Sequence, residues 1–158
     1  MIHDPQHTIT ALSAKPPSTL ELHFADGLSA TVDLGDWIAR YPVLAPLADP
    51  DLFVQAKLDA RGGYVVWRED ALELAADNLR NLAIEQSGGI GPERLWRWMD
   101  RNQLTRRQAA EALGLSVRTL GGYLSGARPI PKTVWLACLG WESSRTSPQQ
   151  DESEHVFG

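Results

Sequence analysis

Apolar and polar residues alternate in two short runs near the N-terminus. Leu20, Leu22 and Phe24 fall at every second position of the first run, and residues 29–34 alternate in the same way. Residues two apart lie on one face of a strand, so both runs predict half-buried strands. The pair Asp26-Gly27 between them favours a tight turn, and an antiparallel hairpin is therefore expected.

The rest of residues 1–86 predicts more short elements of the same kind. Alternation also begins at Ile9, and prolines at 42, 46 and 50 divide the middle into short turns or helical pieces. A second hairpin is expected from 54–59 through the glycines at 62 and 63 into 64–67. Residues 70–85 carry an apolar stripe with helical spacing, which predicts a helix. The expected fold of 1–86 is a small α+β domain, an antiparallel sheet with a helix.

The pattern changes after a short segment rich in glycine. Residues 87–92 contain three glycines, a serine and a proline, which is typical of a linker. Residues 93–142 then predict about four helices and no strand. The second of these begins with the capping box Thr105/Gln108 and ends at Gly114, and Ser116 is a suitable N-cap for the third. Pro131 suits the first turn of the fourth helix.

Two tryptophans in the first of these helices compete for the core. Trp96 and Trp98 are two residues apart and cannot share a helix face. One is expected in the core, and the other could be exposed and used at an interface.

Residues 104–120 resemble the phage-repressor, or XRE, helix-turn-helix family. The resemblance rests on the line from Leu104 through Ala110, Leu113 and Gly114 to Leu120, and the segment from Gly126 to Lys132 is also similar. It implies an all-α helix-turn-helix domain of about four helices over 93–142. In that family the third helix enters the major groove of DNA and the second crosses the backbone. The resemblance therefore implies double-stranded DNA as partner, read by the helix 116–125.

The same resemblance assigns candidate DNA-binding residues by position. Arg106 would meet a phosphate with help from Gln108, base edges would face the third helix, and two later cations would flank the site on the backbone. The base-facing positions are Val117, Arg118, Gly121 and Gly122, and the flanking cations are Arg128 and Lys132.

Two of the base-facing positions lack side chains. Either the glycines permit close approach to DNA, with specificity from Arg118, Val117 and indirect readout, or this face no longer reads sequence and contacts a protein. Arg118 could bind guanine in a bidentate manner.

Charge is divided unevenly along the chain. The total is −5, which alone argues against nucleic acid. Residues 1–91, however, carry 13 acidic and 6 basic groups, whereas residues 92–142 carry 4 acidic and 8 basic groups. Such asymmetry favours a module that faces nucleic acid, although a solvated charged surface gives the same count.

Most of residues 8–80 resembles a family of small bacterial domains of unknown function. The similar residues are turn and core residues: Leu22–Gly27, Val32–Leu34, Pro46-Leu47 with Phe53, and Val66-Trp67. Members of that family often occur in toxin–antitoxin loci, which implies a binding role. An antitoxin-like protein-interaction module without sequence-specific DNA binding is therefore the alternative function, with the acidic N-terminal domain covering a protein partner.

Several other features bear on function class. No cluster supports an enzyme or a cofactor, and the histidines at 3 and 7, separated by Pro5, are not expected to bind metal. The single cysteine, Cys138, excludes an intramolecular disulfide, and no signal peptide or membrane span is predicted, so a cytoplasmic location is expected. Residues 143–158 are polar and expected to form a flexible tail. The sequence thus predicts a DNA-binding transcriptional regulator, a homodimer whose N-terminal domain binds a partner or effector.

Overall fold

The computed structural model describes residues 4–68 and 71–157, with side chains described up to residue 145. Contacts divide the chain into two compact units, Met1–Gly88 and Gly89–Gly158. The boundary between them falls inside the segment 87–92, for which a linker is predicted.

Unit 1 begins with a three-stranded antiparallel sheet. Its strands are β1 (Ile9–Lys15), β2 (Thr19–Phe24) and β3 (Ser29–Asp33), in the order β1-β2-β3. Gly27 takes a φ of +97°, the left-handed backbone that this turn needs. The predicted hairpin is confirmed, since β2 pairs with β3 and its three alternating apolar side chains are all buried.

A second antiparallel sheet completes unit 1. It contains β4 (Lys57–Leu58), β5 (Tyr64–Trp67) and β6 (Leu72–Ala75). Helices connect and cover the sheets: α1 (Gly35–Arg40), α2 (Pro50–Phe53), α3 (Ala76–Gln86), and two 3-10 helices at Pro5–His7 and Pro42–Ala48.

The helix predicted over 70–85 is wrong in its first part. Residues 72–75 form β6, which pairs antiparallel with β5, and the helix begins only at Ala76. Leu72 and Leu74 fit a period of two as well as a helical stripe. Backbone hydrogen bonds to β5 make this segment a strand rather than a helix, and sequence periodicity does not predict which strand it pairs with.

A buried arginine ties α3 to the β2–β3 turn. Arg80 is 6% exposed, and its guanidinium donates to both carboxylate oxygens of Asp26 at 3.1 and 2.7 Å and to the Gln6 carbonyl oxygen at 3.2 Å. It also lies 5.0 Å from the centre of the Phe24 ring. Partial burial alone would raise the pKa of Asp26, but hydrogen bonds from Arg80 and from the Leu28 amide outweigh it and lower that pKa.

Unit 2 is helical in its described residues. It consists of α4 (Pro92–Arg101), α5 (Arg106–Leu113), α6 (Val117–Leu124) and α7 (Lys132–Phe157), which confirms the predicted fold class. Its core includes Leu95, Met99, Leu120 and the fully buried Trp98, whose indole N–H donates to the Cys138 carbonyl oxygen at 3.0 Å.

The segment predicted as a flexible tail, 143–158, coincides with the end of α7. The backbone remains helical to Phe157, while side chains beyond 145 and the whole of residue 158 lie outside the described part. Mobility of this tail stays a prediction. Within the described residues, no helix combines the length and the apolar character needed to cross a membrane.

Candidate nucleic-acid interface

The connection between α5 and α6 is a helix-turn-helix unit set by local capping. The Thr105 hydroxyl accepts from the Gln108 amide at 3.1 Å, and the Gln108 side-chain oxygen accepts from the Thr105 amide at 2.9 Å. At the other end Gly114 takes a left-handed φ of +69°, so α5 stops there. The predicted capping box and αL cap are both confirmed.

The turn delivers the chain directly into α6. The Leu115 amide donates back to the Ala110 carbonyl oxygen at 2.8 Å, and the Ser116 hydroxyl accepts from the Thr119 amide at 3.0 Å. Ala109 and Ala110 are almost fully buried, and their small side chains allow α5 and α6 to approach closely. The three-residue turn and both helix ends are thus encoded locally.

The outer face of α6 carries the predicted base-facing positions. Leu120 and Leu124 are buried, and residues two positions away from them lie about 200° further around the helix. Arg118 and Gly122 therefore share the outward face. Val117 is 49% exposed at the first turn, and a side chain at Gly121 would meet no atom within 4 Å.

Gly122 is not open in the same way. A Cβ built on it would lie 2.7 Å from Cδ and 3.1 Å from Cγ of Arg128, so the aliphatic stem of Arg128 occupies the space where a side chain at 122 would begin. The Arg128 amide also donates to the Gly122 carbonyl oxygen at 3.1 Å. The structure therefore joins two predicted site residues that are six positions apart in sequence.

Arg106, the first residue of α5, stacks on Trp96 of α4. Its guanidinium carbon lies 5.4 Å from the centre of the indole ring. The indole N–H donates to the Leu124 carbonyl oxygen at 2.9 Å, at the end of α6. Of the two competing tryptophans Trp98 is thus the core residue, whereas Trp96 is 42% exposed and belongs to the candidate site. The only sequence signal for this role is the two-residue spacing.

Seven of the cations of unit 2 fall into two groups. Two arginines of α4 are paired with carboxylates: Arg97 with Glu93 at 3.2 Å and Arg101 with Glu142 at 2.7 Å. Hydrogen bonds from Arg101 and Asn102 lower the pKa of Glu142. In the described part of the chain, the exposed cations of the second group have no ion-pair partner. They are Arg106, Arg107, Arg118, Arg128 and Lys132, and we call them the free cations.

The structure also places two other predicted site residues, Gln108 and Lys132. Gln108 uses its side-chain oxygen in the capping box, so only its amide nitrogen is left to meet a phosphate. Lys132 is exposed at the first residue of α7.

Burial raises the pKa of the Cys138 thiol to about 12, so the thiol is almost entirely protonated at neutral pH.

Two further features concern ligands. The described residues contain no group of three or more metal-ligating side chains, and His3 lies outside them. Unit 1 has a surface depression of about 590 Å³ lined by Gln55, Lys57, Val66, Trp67 and Arg68.

These observations define a class of protein: an α+β unit followed by a helical unit with a helix-turn-helix. No protein-family model and no curated protein matches the chain. A crystal structure of the "Putative DNA Binding Protein" from Nitrosomonas europaea ATCC 19718 does match, with 39% sequence identity and a TM-score of 0.81 over 87% of this chain and 88% of that one. The chain belongs to the family of this Nitrosomonas europaea protein.

Proposed function

We propose that this protein binds double-stranded DNA through unit 2, with α6 in the major groove. The free cations carry the proposal. Exposed cations without carboxylate partners repel one another, and a polyanion relieves that repulsion while releasing its own counterions. The name of the Nitrosomonas europaea relative supports the same partner.

The arrangement of the free cations suits the two kinds of DNA contact. Arg118 is on the outward face of α6, where a bidentate guanidinium–guanine contact is possible. Arg106 begins α5, the helix that crosses the DNA backbone in this arrangement, and the Trp96 ring limits its motion without neutralising it. Arg106 is therefore assigned to a phosphate and Arg118 to a base edge.

Fluorescence anisotropy with a labelled pool of random 20-bp duplexes at low salt tests the proposal. Arg106→Ala should weaken binding to all sequences and reduce the slope of log affinity against log salt by about 1. The matched control is Arg97→Ala, which also removes one positive charge but from a residue paired with Glu93. Equal losses in the two variants, or no binding by the wild type, would refute the proposal.

The finer function we propose is transcriptional regulation by a homodimer. Helix-turn-helix dimers place their reading helices in half-sites about 34 Å apart, which requires two copies of this chain. Light scattering coupled to size exclusion should give twice the 17.4 kDa chain mass. A monomer at micromolar concentration that stays monomeric on DNA would contradict the dimer and leave DNA binding standing.

An antitoxin-like role is the second candidate, supported by the charge of unit 1. Residues 1–91 carry 13 acidic and 6 basic groups, which suits a basic protein partner. Under this alternative the wild type binds no duplex in the anisotropy assay and purifies in stoichiometric complex with a basic protein from its host. Both candidates give the chain a binding role and no catalytic one.

A further inference from the structure

We infer that Arg128, although it follows α6 in a loop, supplies the base-reading side chain that α6 lacks at Gly122. The inference rests on the proposed function and adds a specificity-determining residue to it. The family resemblance, by contrast, assigns Arg128 to the DNA backbone beside the site and not to a base.

The backbone of Arg128 is fixed on both sides. Gly126 takes a left-handed φ of +79°, which turns the chain back towards α6. The Arg128 amide then donates to the Gly122 carbonyl oxygen at 3.1 Å. Pro129 holds Arg128 away from helical backbone, and the buried Ile130 anchors the loop to the core.

The side chain follows from this placement. Cγ and Cδ of Arg128 lie within 3.1 Å of the point where a Cβ at residue 122 would be, so the stem crosses α6 at that position. Any residue other than glycine would displace it. Gly122 is thus a seat for Arg128, whereas Gly121 meets nothing and simply leaves the helix surface open.

The seat lies on the outward face of α6. Arg118 is four residues before Gly122, one helical turn away on that face. The stem of Arg128 thus crosses the same face that presents Arg118, and neither residue has a carboxylate partner among the described residues. A planar guanidinium in that place can donate two parallel hydrogen bonds to O6 and N7 of guanine.

Selection from random 20-bp duplexes, followed by affinity measurement, tests the inference. The wild type should enrich a motif with a guanine at one position of each half-site. Arg128→Ala should lose discrimination at that position alone, by about 5- to 150-fold, because one good bidentate contact is removed. Arg128→Lys keeps the charge but loses the planar guanidinium that donates two parallel hydrogen bonds, so it should keep most of the affinity and lose part of the preference at the same position.

A double-mutant cycle connects the two residues. Gly122→Ala should reproduce the loss at that position, and adding it to Arg128→Ala should change little more, since its effect passes through Arg128. Gly140→Ala is the control, because it makes the same substitution at an exposed position of α7, outside the candidate site, where the methyl group meets no atom. Circular dichroism should show that all variants are folded.

Other outcomes overturn the inference. They are a uniform loss of affinity in Arg128→Ala with the motif unchanged, a full Gly122→Ala effect in the Arg128→Ala background, or a wild type that enriches no motif. In each case, duplex binding that depends on Arg106 but not on Arg97 would leave the proposed DNA binding intact.

Discussion

Arg80 of unit 1 and Arg106 of unit 2 both pack on aromatic rings, but they differ in burial and in charged partner. In unit 1 Arg80 is buried, donates to both oxygens of Asp26 and packs on Phe24. In unit 2 Arg106 also packs on an aromatic ring, that of Trp96, but it is exposed and has no carboxylate partner among the described residues. Both arginines contact an aromatic ring, but they differ in solvent exposure and in whether a carboxylate is paired with them.

That difference separates a structural cation from one available to a ligand. A guanidinium that has lost its water needs its carboxylate, because a buried charge without a partner is costly. A guanidinium stacked on an exposed ring keeps its water and its full charge, and can exchange that water for a phosphate. Burial and partner, rather than residue type or ring contact, therefore distinguish the structural arginine Arg80 from the arginines proposed to bind DNA.

The largest effect is expected at the structural arginine. Arg80→Met should destabilise unit 1 by about 3 kcal/mol, since it removes the three charge-assisted hydrogen bonds that Arg80 donates to Asp26 and to the Gln6 carbonyl oxygen. Arg106→Met removes an exposed cation–π contact and should cost less than about 1 kcal/mol. Urea unfolding followed by far-UV circular dichroism measures both. The comparison fails if the two variants lose similar stability.

The next largest effect concerns Asp26, the acidic partner of Arg80, and the pH dependence of stability. The pKa of Asp26 is below its ordinary value of 3.8, so its ion pair stabilises the fold above that pH and is lost as the pH falls through the lower, folded value. Asp26→Asn should cost about 2 kcal/mol at pH 7 and flatten the fall in stability below pH 4.

Some acid sensitivity should remain in the Asp26→Asn variant. Hydrogen bonds from Ser18 and from the Gly35 amide lower the pKa of Asp33 in the same direction. Asp33→Asn is therefore the control for the measurement, which is the midpoint of urea unfolding at each pH. An Asp26→Asn curve parallel to that of the wild type would show that the Arg80 pair does not set the acid response.

Sequence reasoning succeeds where structure is decided within a few residues. Thr105, Gly114 and Ser116 each act on backbone groups three or four positions away, so the ends of α5 and α6 follow from residue type and spacing. The β2–β3 hairpin is similarly local, because its turn and its alternation adjoin. The fold class could be predicted for this reason.

Sequence reasoning fails where the structure of a residue depends on a partner that is distant in sequence. Arg80 looks like an ordinary surface residue of α3, and its partner Asp26 lies 54 positions away. The strand β6 depends on pairing with β5, and the role of Trp96 depends on Leu124, 28 positions later. At Gly121 and Gly122 the sequence shows two missing side chains, whereas the structure shows that the stem of Arg128 fills the space at Gly122.

A smaller effect should distinguish the two glycines of α6. Gly121→Ala should stabilise unit 2 by about 0.8–1.0 kcal/mol, since alanine favours a helix and its methyl group meets nothing. Gly122→Ala should gain less, because Arg128 must move. In an Arg128→Ala background the two substitutions should give equal gains.

Cys138 provides the measurement for these variants. It is the single cysteine of the chain, is buried in unit 2, and has a thiol pKa of about 12, so alkylation at pH 8 requires local opening of that unit. The alkylation rate should fall in Gly121→Ala about four- to fivefold, the equivalent of 0.8–1.0 kcal/mol. Unchanged rates in both variants would contradict the expected gain in the stability of α6.

The smallest effect is expected for the paired cations of unit 2. Arg101 and Glu142 form a bidentate contact at 2.7 and 3.0 Å, but both are partly exposed, so the pair contributes only about 0.5 kcal/mol. Arg101→Ala should therefore change stability by about that amount and leave the salt slope of DNA binding unaltered. Lys132→Ala removes a free cation predicted to contact the DNA backbone, makes the same change in net charge, and should lower that slope by about 1. If the two variants shift the slope equally, pairing with a carboxylate does not distinguish the cations that bind DNA from those that stabilise unit 2, and net charge alone controls binding.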